Sequence, residues 1–406
     1  MEQTNFVLSN GVKGTYLQRE DLRSLSVAVV VRIGSAYEDG ANSGITHLLE
    51  HLTFNKNSAM SKRELSSAFA SIGATRNAST SHELLQYTLW APQERATEAL
   101  RLLSLSIWDS DFDEEDLTKE KTIIANEIRQ TSDDPVTFFN ESMLANAYMG
   151  HGFGRPVGGT LESLRGLTVG DLKAWRDENL VPKNMTIAIC GSSKWDAALE
   201  ALVERNFGAK NNPSSKANLL PAPQFCPGNI SLSKGFGQSY LGRIYSGSPL
   251  FSEDSPATTV LSMILGHGET SRIWLKLREE MGVAYHAGAL HFSSPVQGLF
   301  SMYAIADPSQ SKASIEAMDG ELQAVASEGP SPEEMDRNRM TLLSAGIQTL
   351  ESASLWTSTS AILLAIYGFE KGIKEHIDAM HTVSAGDVVR VAKHLCRSDA
   401  LTLEIR

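Results

Sequence analysis

One stretch of this chain comes close to occurring twice. Glu114–Ile128, EEDLTKEKTIIANEI, lies over Glu333–Ile347, EEMDRNRMTLLSAGI, at an offset of 219, with four identical positions and two more that set Ile against Leu. Near the end of each half, LTVGDL (Leu167–Leu172) lies over VSAGDV (Val383–Val388) at an offset of 216, a drift that small loop changes produce. Two matches so nearly in register point to an internal duplication, and hence to two related halves. Length agrees, because 406 residues exceed the roughly 250 to 300 at which a single hydrophobic core stops growing. Between the halves, Asn211–Pro227 (NNPSSKANLLPAPQFCP) holds four prolines and neither helical nor strand period, which reads as a linker. The expected organisation is a domain over 1–210, a linker over 211–227 and a second domain over 228–406.

Local patterns give the fold class. Phe6–Leu8, Gly14–Leu17 and Leu25–Ile33 are short apolar or β-branched runs, with Asn10-Gly11 as a turn between the first two. A helix is expected after Asn42-Ser43, whose side-chain oxygens suit an N-cap, with Ile45, Leu48, Leu49 and Leu52 at helical spacing. Helical patterns also cover Lys62–Ile72, Gln93–Trp108, Asp113–Gln130, Pro135–Tyr148 and Val169–Asn179, with strands near Ala74–Thr80, Leu85–Ala91 and Met185–Cys190. This mixture lacks a strict βαβ rhythm, so the class is α+β.

Charge and composition exclude several roles. With 36 basic and 48 acidic residues the formal charge is −12, a field that repels phosphate backbones and anionic membrane surfaces, so nucleic acid is a poor partner. The most apolar windows, Leu25–Ile33 and Ala361–Tyr367, fall well short of the roughly 20 residues that span a bilayer. The N-terminal residues lack the basic and apolar regions of a signal peptide. Cys190, Cys226 and Cys396 are odd in number and widely spaced, which favours a reducing compartment, the cytoplasm.

The strongest chemical signal is HLLEH, His47 to His51, inside the expected helix. Positions i and i+4 share a helix face, so His47 and His51 can present two imidazole nitrogens to one ion, with Glu50 beside that face. Two imidazoles and a carboxylate suit zinc, and a third protein ligand has to come from elsewhere in the chain. Glu120 and Glu127 lie two helical turns apart on one face and, taken alone, read more readily as a solvated stripe. In SRIWLKLREEMGVAYHAGAL (Ser271–Leu290), Arg278 taken alone is an exposed helix residue and Tyr285 a strand aromatic.

The order HxxEH resembles the inverzincins of the pitrilysin, or mitochondrial-processing-peptidase-like, M16 zinc metallopeptidases. In that family the third zinc ligand is a glutamate on a later helix, and Glu127, after 75 intervening residues, takes that place. The resemblance assigns His47, His51 and Glu127 to one zinc ion per chain, Glu50 to the general base and Glu120 to an accessory role. It assigns Arg278 and Tyr285 to the substrate carbonyl, and Asn77 and Glu83, in NASTSHELLQYTLWAP, to an edge strand that pairs with extended peptide. At the 219 offset His47, Glu50, His51 and Glu127 fall on Gly266, Glu269, Thr270 and Gly346, so the second half lacks the ligands. Phe54-Asn55-Lys56-Asn57 departs from the family's glycine-containing run, which bears on substrate preference.

A chain of this length resembles a single-half M16B-type subunit: two homologous α+β domains forming one half of a clamshell peptidase. The resemblance implies an endopeptidase that hydrolyses unfolded peptides, or leader- or presequence-type segments, inside a dimeric chamber. The partner is a second copy or, alternatively, a related M16 subunit. A non-catalytic M16-like assembly subunit is the competing reading.

Overall fold

The structure, a computed structural model, describes residues 2–210 and 220–406. Most of the expected linker, 211–219, lies outside the described residues, and 220–227 carries no helix or strand. The strands of the first half are β1 (Glu2–Val7), β2 (Lys13–Gln18), β3 (Ser24–Val31), β4 (Lys56–Asn57), β5 (Thr75–Thr80), β6 (Leu85–Pro92), β7 (Ser110–Asp111) and β8 (Met185–Gly191). Those of the second are β9 (Gly228–Leu232), β10 (Ser239–Ser246), β11 (Ala284–Ser293), β12 (Gly298–Ala306) and β13 (Ala400–Ile405). The helices of the first half are α1 (Ile45–Thr53), α2 (Lys62–Ser71), α3 (Ala96–Trp108), α4 (Glu114–Asp133), α5 (Pro135–Ala147), α6 (Leu161–Gly166), α7 (Val169–Asn179) and α8 (Ala197–Val203). The second half contributes α9 (Ser255–Gly266), α10 (Arg272–Trp274), α11 (Ser311–Glu328), α12 (Pro332–Glu351), α13 (Ala353–Tyr367), α14 (Ile373–His381) and α15 (Ala385–Arg397).

The duplication is legible in the sheets. The first runs β1-β2-β8-β3-β6-β5 and the second β11-β12-β10-β13-β9. In each, the last strand of its half (β8, β13) lies parallel to one neighbour (β2, β9) and antiparallel to the other (β3, β10). The strand pairs β3/β10, β6/β12 and β5/β11 then follow in the same order, and of the six strands in the first sheet β1 lacks a counterpart among the described residues. The repeated segments themselves form α4 and α12, each 20 residues long.

The chain forms two compact units, which are not contiguous in sequence as the domains expected over 1–210 and 228–406 would be. One takes the described residues of Met1–Gln130, Arg155–Leu219 and Gly346–Lys374; the other takes Thr131–Gly154, those of Leu220–Ala345, and Glu375–Arg406. The strands stay within their halves, but α5 belongs to the second unit and α13 to the first. The burial of the central strands explains why. β3, SLSVAVVV, and β8, MTIAICG, are apolar almost throughout and buried along their length, the pattern of strands covered on both faces. On one face Val27, Val29 and Val31 join the core with Leu48, Leu49 and Leu52 of α1. On the other lies α13, where the hydroxyls of Ser26 and Thr357 are 3.0 Å apart and Thr186 Oγ1 donates to the Ala361 carbonyl at 2.8 Å. A sheet with two apolar faces needs a second cover, and α13 supplies it.

Between α4 and α5 the chain breaks at Asp134-Pro135. The residue before proline is disfavoured in helical conformation, and Asp134 turns its side chain to accept the Thr137 amide at 2.7 Å as the new N-cap.

Candidate metal centre

Three leucines fix the orientation of α1. Leu48, Leu49 and Leu52 are fully buried, which leaves His47, Glu50 and His51 half-buried on the remaining face. The helix start differs from the expected Asn42-Ser43 cap. Gly44 is the N-cap and offers no side chain, Asn42 Oδ1 accepts the Asp39 amide, and Ser43 Oγ is buried without a partner. The first-turn amides are satisfied by Glu38, six residues upstream and only 4% exposed, whose carboxylate accepts from Gly44 N at 2.7 Å and Thr46 N at 2.9 Å. An acid here also complements the positive end of the helix dipole. Gly44 has φ of 88°, and a Cβ there would lie 2.6 Å from the Gly158 carbonyl, so the loop that holds Gly158 and Gly159 packs directly on this helix start. Glu38→Ala removes two buried amide partners and is expected to cost about 2 kcal/mol, read from denaturant unfolding. A change below about 0.5 kcal/mol would mean that the helix start holds without Glu38.

Helix α4 brings the third ligand. Leu117, Glu120 and Ile124 form its buried stripe, and Glu127 continues that stripe at its better exposed end. Glu127 Oε2 lies 3.5 Å from His51 Nε2 and 3.9 Å from His47 Nε2, and the two imidazole nitrogens are 3.3 Å apart. Zinc bonds of about 2.1 Å at tetrahedral angles separate donor atoms by about 3.4 Å, so the triad fits a zinc ion with a fourth position left open. The rings meet edge to face, their planes at 88°, with both Nε2 atoms turned to the same point.

The neighbours prepare these ligands. His51 Nδ1 is 3.2 Å from Glu120 Oε2, and since a carboxylate only accepts, Nδ1 carries the proton and Nε2 the free lone pair. Glu120, 4% exposed, also accepts from Asn55 Nδ2 at 2.9 Å and Lys62 Nζ at 3.2 Å. Burial opposes its ionisation, but these three hydrogen bonds outweigh it and bring its pKa down to about 2. Burial, with the adjacent His51, pushes His47 down to about 4, so its lone pair is available at neutral pH. Burial would lower His51 too, but the Glu120 hydrogen bond and the charges of Glu127, Glu50 and Glu120 raise it overall.

Glu50 turns to β5, where Thr80 Oγ1 donates to its Oε2 at 2.6 Å. Burial raises the Glu50 pKa, offset in part by Thr80 and the charge of His51. Thr80→Val should lower turnover roughly tenfold with metal content unchanged, and Thr80→Ser should recover most of it. Equal turnover in Thr80→Val and the parent protein would remove Thr80 from the site.

β5 is the edge strand of its sheet, and Asn77 is exposed on it. Glu83 lies in the turn that leads to β6. In the second unit Arg278 and Tyr285 touch: Arg278 Nη1 donates to the Tyr285 carbonyl at 3.0 Å, and its guanidinium lies over the rings of Trp274 at 4.4 Å and Tyr285 at 5.4 Å. Tyr285 is 73% exposed, a large aromatic held out from the surface. The second-half counterpart of α1 is α9, which follows β10 as α1 follows β3. The fixed offset placed those positions at and beyond Gly266, where α9 already ends; its own sequence, SPATTVLSMILG, contains no His, Asp or Glu.

Thr80, Asn55, Lys62 and Glu38 had no signal of their own in the sequence. Of the Phe54–Asn57 run, Asn55 is the residue that bonds Glu120, while Lys56 pairs with Asp113 and Asp116 and Asn57 Oδ1 accepts from the Ala59 and Met60 amides.

Two histidines on one helix and a glutamate on another, in a duplicated α+β chain, form a group that could hold a metal ion. The sequence model of insulinase (peptidase family M16) matches residues 16–161, and that of the peptidase M16 inactive domain matches 166–342. An uncharacterized zinc protease of Bacillus subtilis is 27% identical over 394 residues, covering 97% of this chain and 96% of its own, and one of Rickettsia felis is 26% identical over 392, covering 96% and 94%. In fold, the chain superimposes on a Helicobacter pylori protease with a TM-score of 0.92 (21% identity; 100% and 99% of the two chains). It superimposes on a peptidase M16 inactive domain from Pseudomonas fluorescens with a TM-score of 0.91 (16% identity; 100% and 98%). The chain belongs to peptidase family M16.

Proposed function

We propose that the protein is a zinc-dependent endopeptidase acting on unfolded peptides or on leader- or presequence-type segments. The observation that carries this reading is the triad of His47, His51 and Glu127, whose donor separations of 3.3 to 3.9 Å match one tetrahedral zinc ion. Zinc held there supplies Lewis acidity toward water and the scissile carbonyl. Glu50 accepts the proton of the attacking water and returns it to the leaving amine, and burial moves its pKa in the direction a general base needs. Thr80 holds that carboxylate in one orientation, and Glu120 keeps the Nδ1 proton on His51. Arg278 and Tyr285, serving the site of their own chain or that of a partner subunit, steady the carbonyl as charge develops on it.

The exposed edge of β5, with Asn77 on it and Glu83 beyond it, receives extended peptide by strand addition, which draws affinity from main-chain groups and tolerates many sequences. Enclosure comes from a second subunit, a copy of this chain or a related M16 subunit, so that folded proteins are excluded. Among the described residues no helix is long and apolar enough to cross a membrane.

Incubation with a peptide library, read by mass spectrometry, is the direct test. Cleavage should appear, vanish with a chelator and return with zinc. Protein that binds no zinc and cuts no peptide would favour a non-catalytic assembly role.

A further inference from the structure

We propose that the second unit holds a binding pocket for a neutral, single-ring phenolic group. The cavity, about 150 Å³, lies between α5 and the face of the sheet formed by β10, β11 and β12. That volume is on the scale that takes one benzene ring inside a protein. Two glycines in the sheet make room for the rings that wall it. A Cβ on Gly242 would come within 2.9 Å of the Phe139 ring, and one on Gly288 within 2.7 Å of the Tyr303 hydroxyl.

The walls suit an aromatic guest. Phe139 of α5 and Tyr240 of β10 line the cavity together with His286 and Tyr303, whose rings lie 5.5 Å apart at 44°. Such walls offer edge-to-face and offset contacts to one further ring. His286 and Val136, which also line the cavity, are exposed, so it reaches solvent.

Polarity specifies the guest further. Ser301, 1% exposed, faces the cavity from the middle of β12, and its Oγ finds no hydrogen-bond partner among the described residues. Its strand neighbours in register are Ile244 and Leu290, which offer it no side-chain partner. A buried hydroxyl without a partner is uncommon in folded proteins. Asn140 of α5 adds an amide to the same cavity. Among the described residues that line it there is no Lys, Arg, Asp or Glu, and its histidine, His286, is exposed, so the buried part offers no charge to neutralise a charged ligand. A phenol, with a flat apolar body and one hydroxyl, meets all of these conditions. It could arrive as the tyrosyl side chain of a peptide or as a free phenolic molecule.

The test uses the full chain carrying Glu50→Gln, with p-cresol and toluene as probes in ligand-observed NMR. p-Cresol should bind more tightly than toluene. Ser301→Ala should weaken p-cresol about fivefold, the worth of one neutral hydrogen bond, and leave toluene unchanged. Ser301→Leu, which fills the cavity, should abolish both. Ser301→Ala preserves volume closely and carries the test if Ser301→Leu does not fold. A tyrosine-containing peptide that competes with p-cresol, where its leucine analogue does not, identifies a peptide side chain as the source; p-cresol binding without such competition identifies a free phenol. Failure of p-cresol to bind, or binding indifferent to both Ser301 variants, overturns the proposal. The readout is independent of peptide cleavage, so it stands apart from the proposed catalytic activity.

Discussion

Glu50→Gln should abolish peptide cleavage while zinc remains bound at the parent level. The amide matches the carboxylate in size and still accepts from Thr80, 2.6 Å away in the parent structure, so helix α1 and the ligand geometry are retained. What it loses is the ability to take a proton from water. General-base contributions run to about 10²–10⁴-fold, and with no other carboxylate free for the task we expect the upper end of that range. Glu120 is committed to His51, Asn55 and Lys62, and Glu127 to the metal. Peptide cleavage within tenfold of the parent protein would eliminate Glu50 as the base.

Removing a ligand should act on the metal itself. His47→Ala or Glu127→Ala leaves two donors where three lie within 4.8 Å of one another, and purified protein should retain little or no zinc by elemental analysis. Glu120→Gln gives a graded comparison. Glu120 donates nothing to the ion but orients His51 and fixes its tautomer, so its loss should weaken zinc affinity by about 10- to 100-fold, with the site still formed at high zinc concentration. If Glu120→Gln lost zinc as completely as Glu127→Ala, the two roles would have to be reassigned.

The proximity of the paired imidazoles is legible in the sequence. His47 and His51 are four residues apart, a spacing that one helix face enforces, and α1 places both Nε2 atoms within 3.3 Å of each other. Glu127 follows His51 after 75 intervening residues, and only the family resemblance singles it out from other carboxylates of α4 such as Glu114, Glu115 and Asp116. Arg278 and Tyr285, seven residues apart, touch because the wide helical turn over Leu275–Glu280 is followed closely by β11.

Elsewhere the local pattern pointed to the wrong partner. Asn42 and Ser43 look like N-caps, yet Glu38 takes the amides because the chain folds back from a buried position six residues upstream. The contiguous halves implied by a proline-rich linker also differ from the compact units. A hydrophobic run such as β3 announces that both its faces are covered, but not which helix covers the second; that α13 arrives from the other half is decided only when the two sheets exist.

What the sequence determined by itself was whatever repeats at short range or by descent: two related halves, a helix with paired imidazoles, and the strand and helix identities that follow from period. Tertiary structure alone decided that Thr80 holds Glu50, that Asn55 and Lys62 hold Glu120, that α5 and α13 cross to the other unit, and that Ser301 stands unpartnered in an aromatic cavity. The physical reason is the same in each case. Helical and strand periods are properties of neighbouring residues, whereas a hydrogen bond between residues 30 or 65 positions apart depends on which surfaces pack together, and no local pattern records that choice.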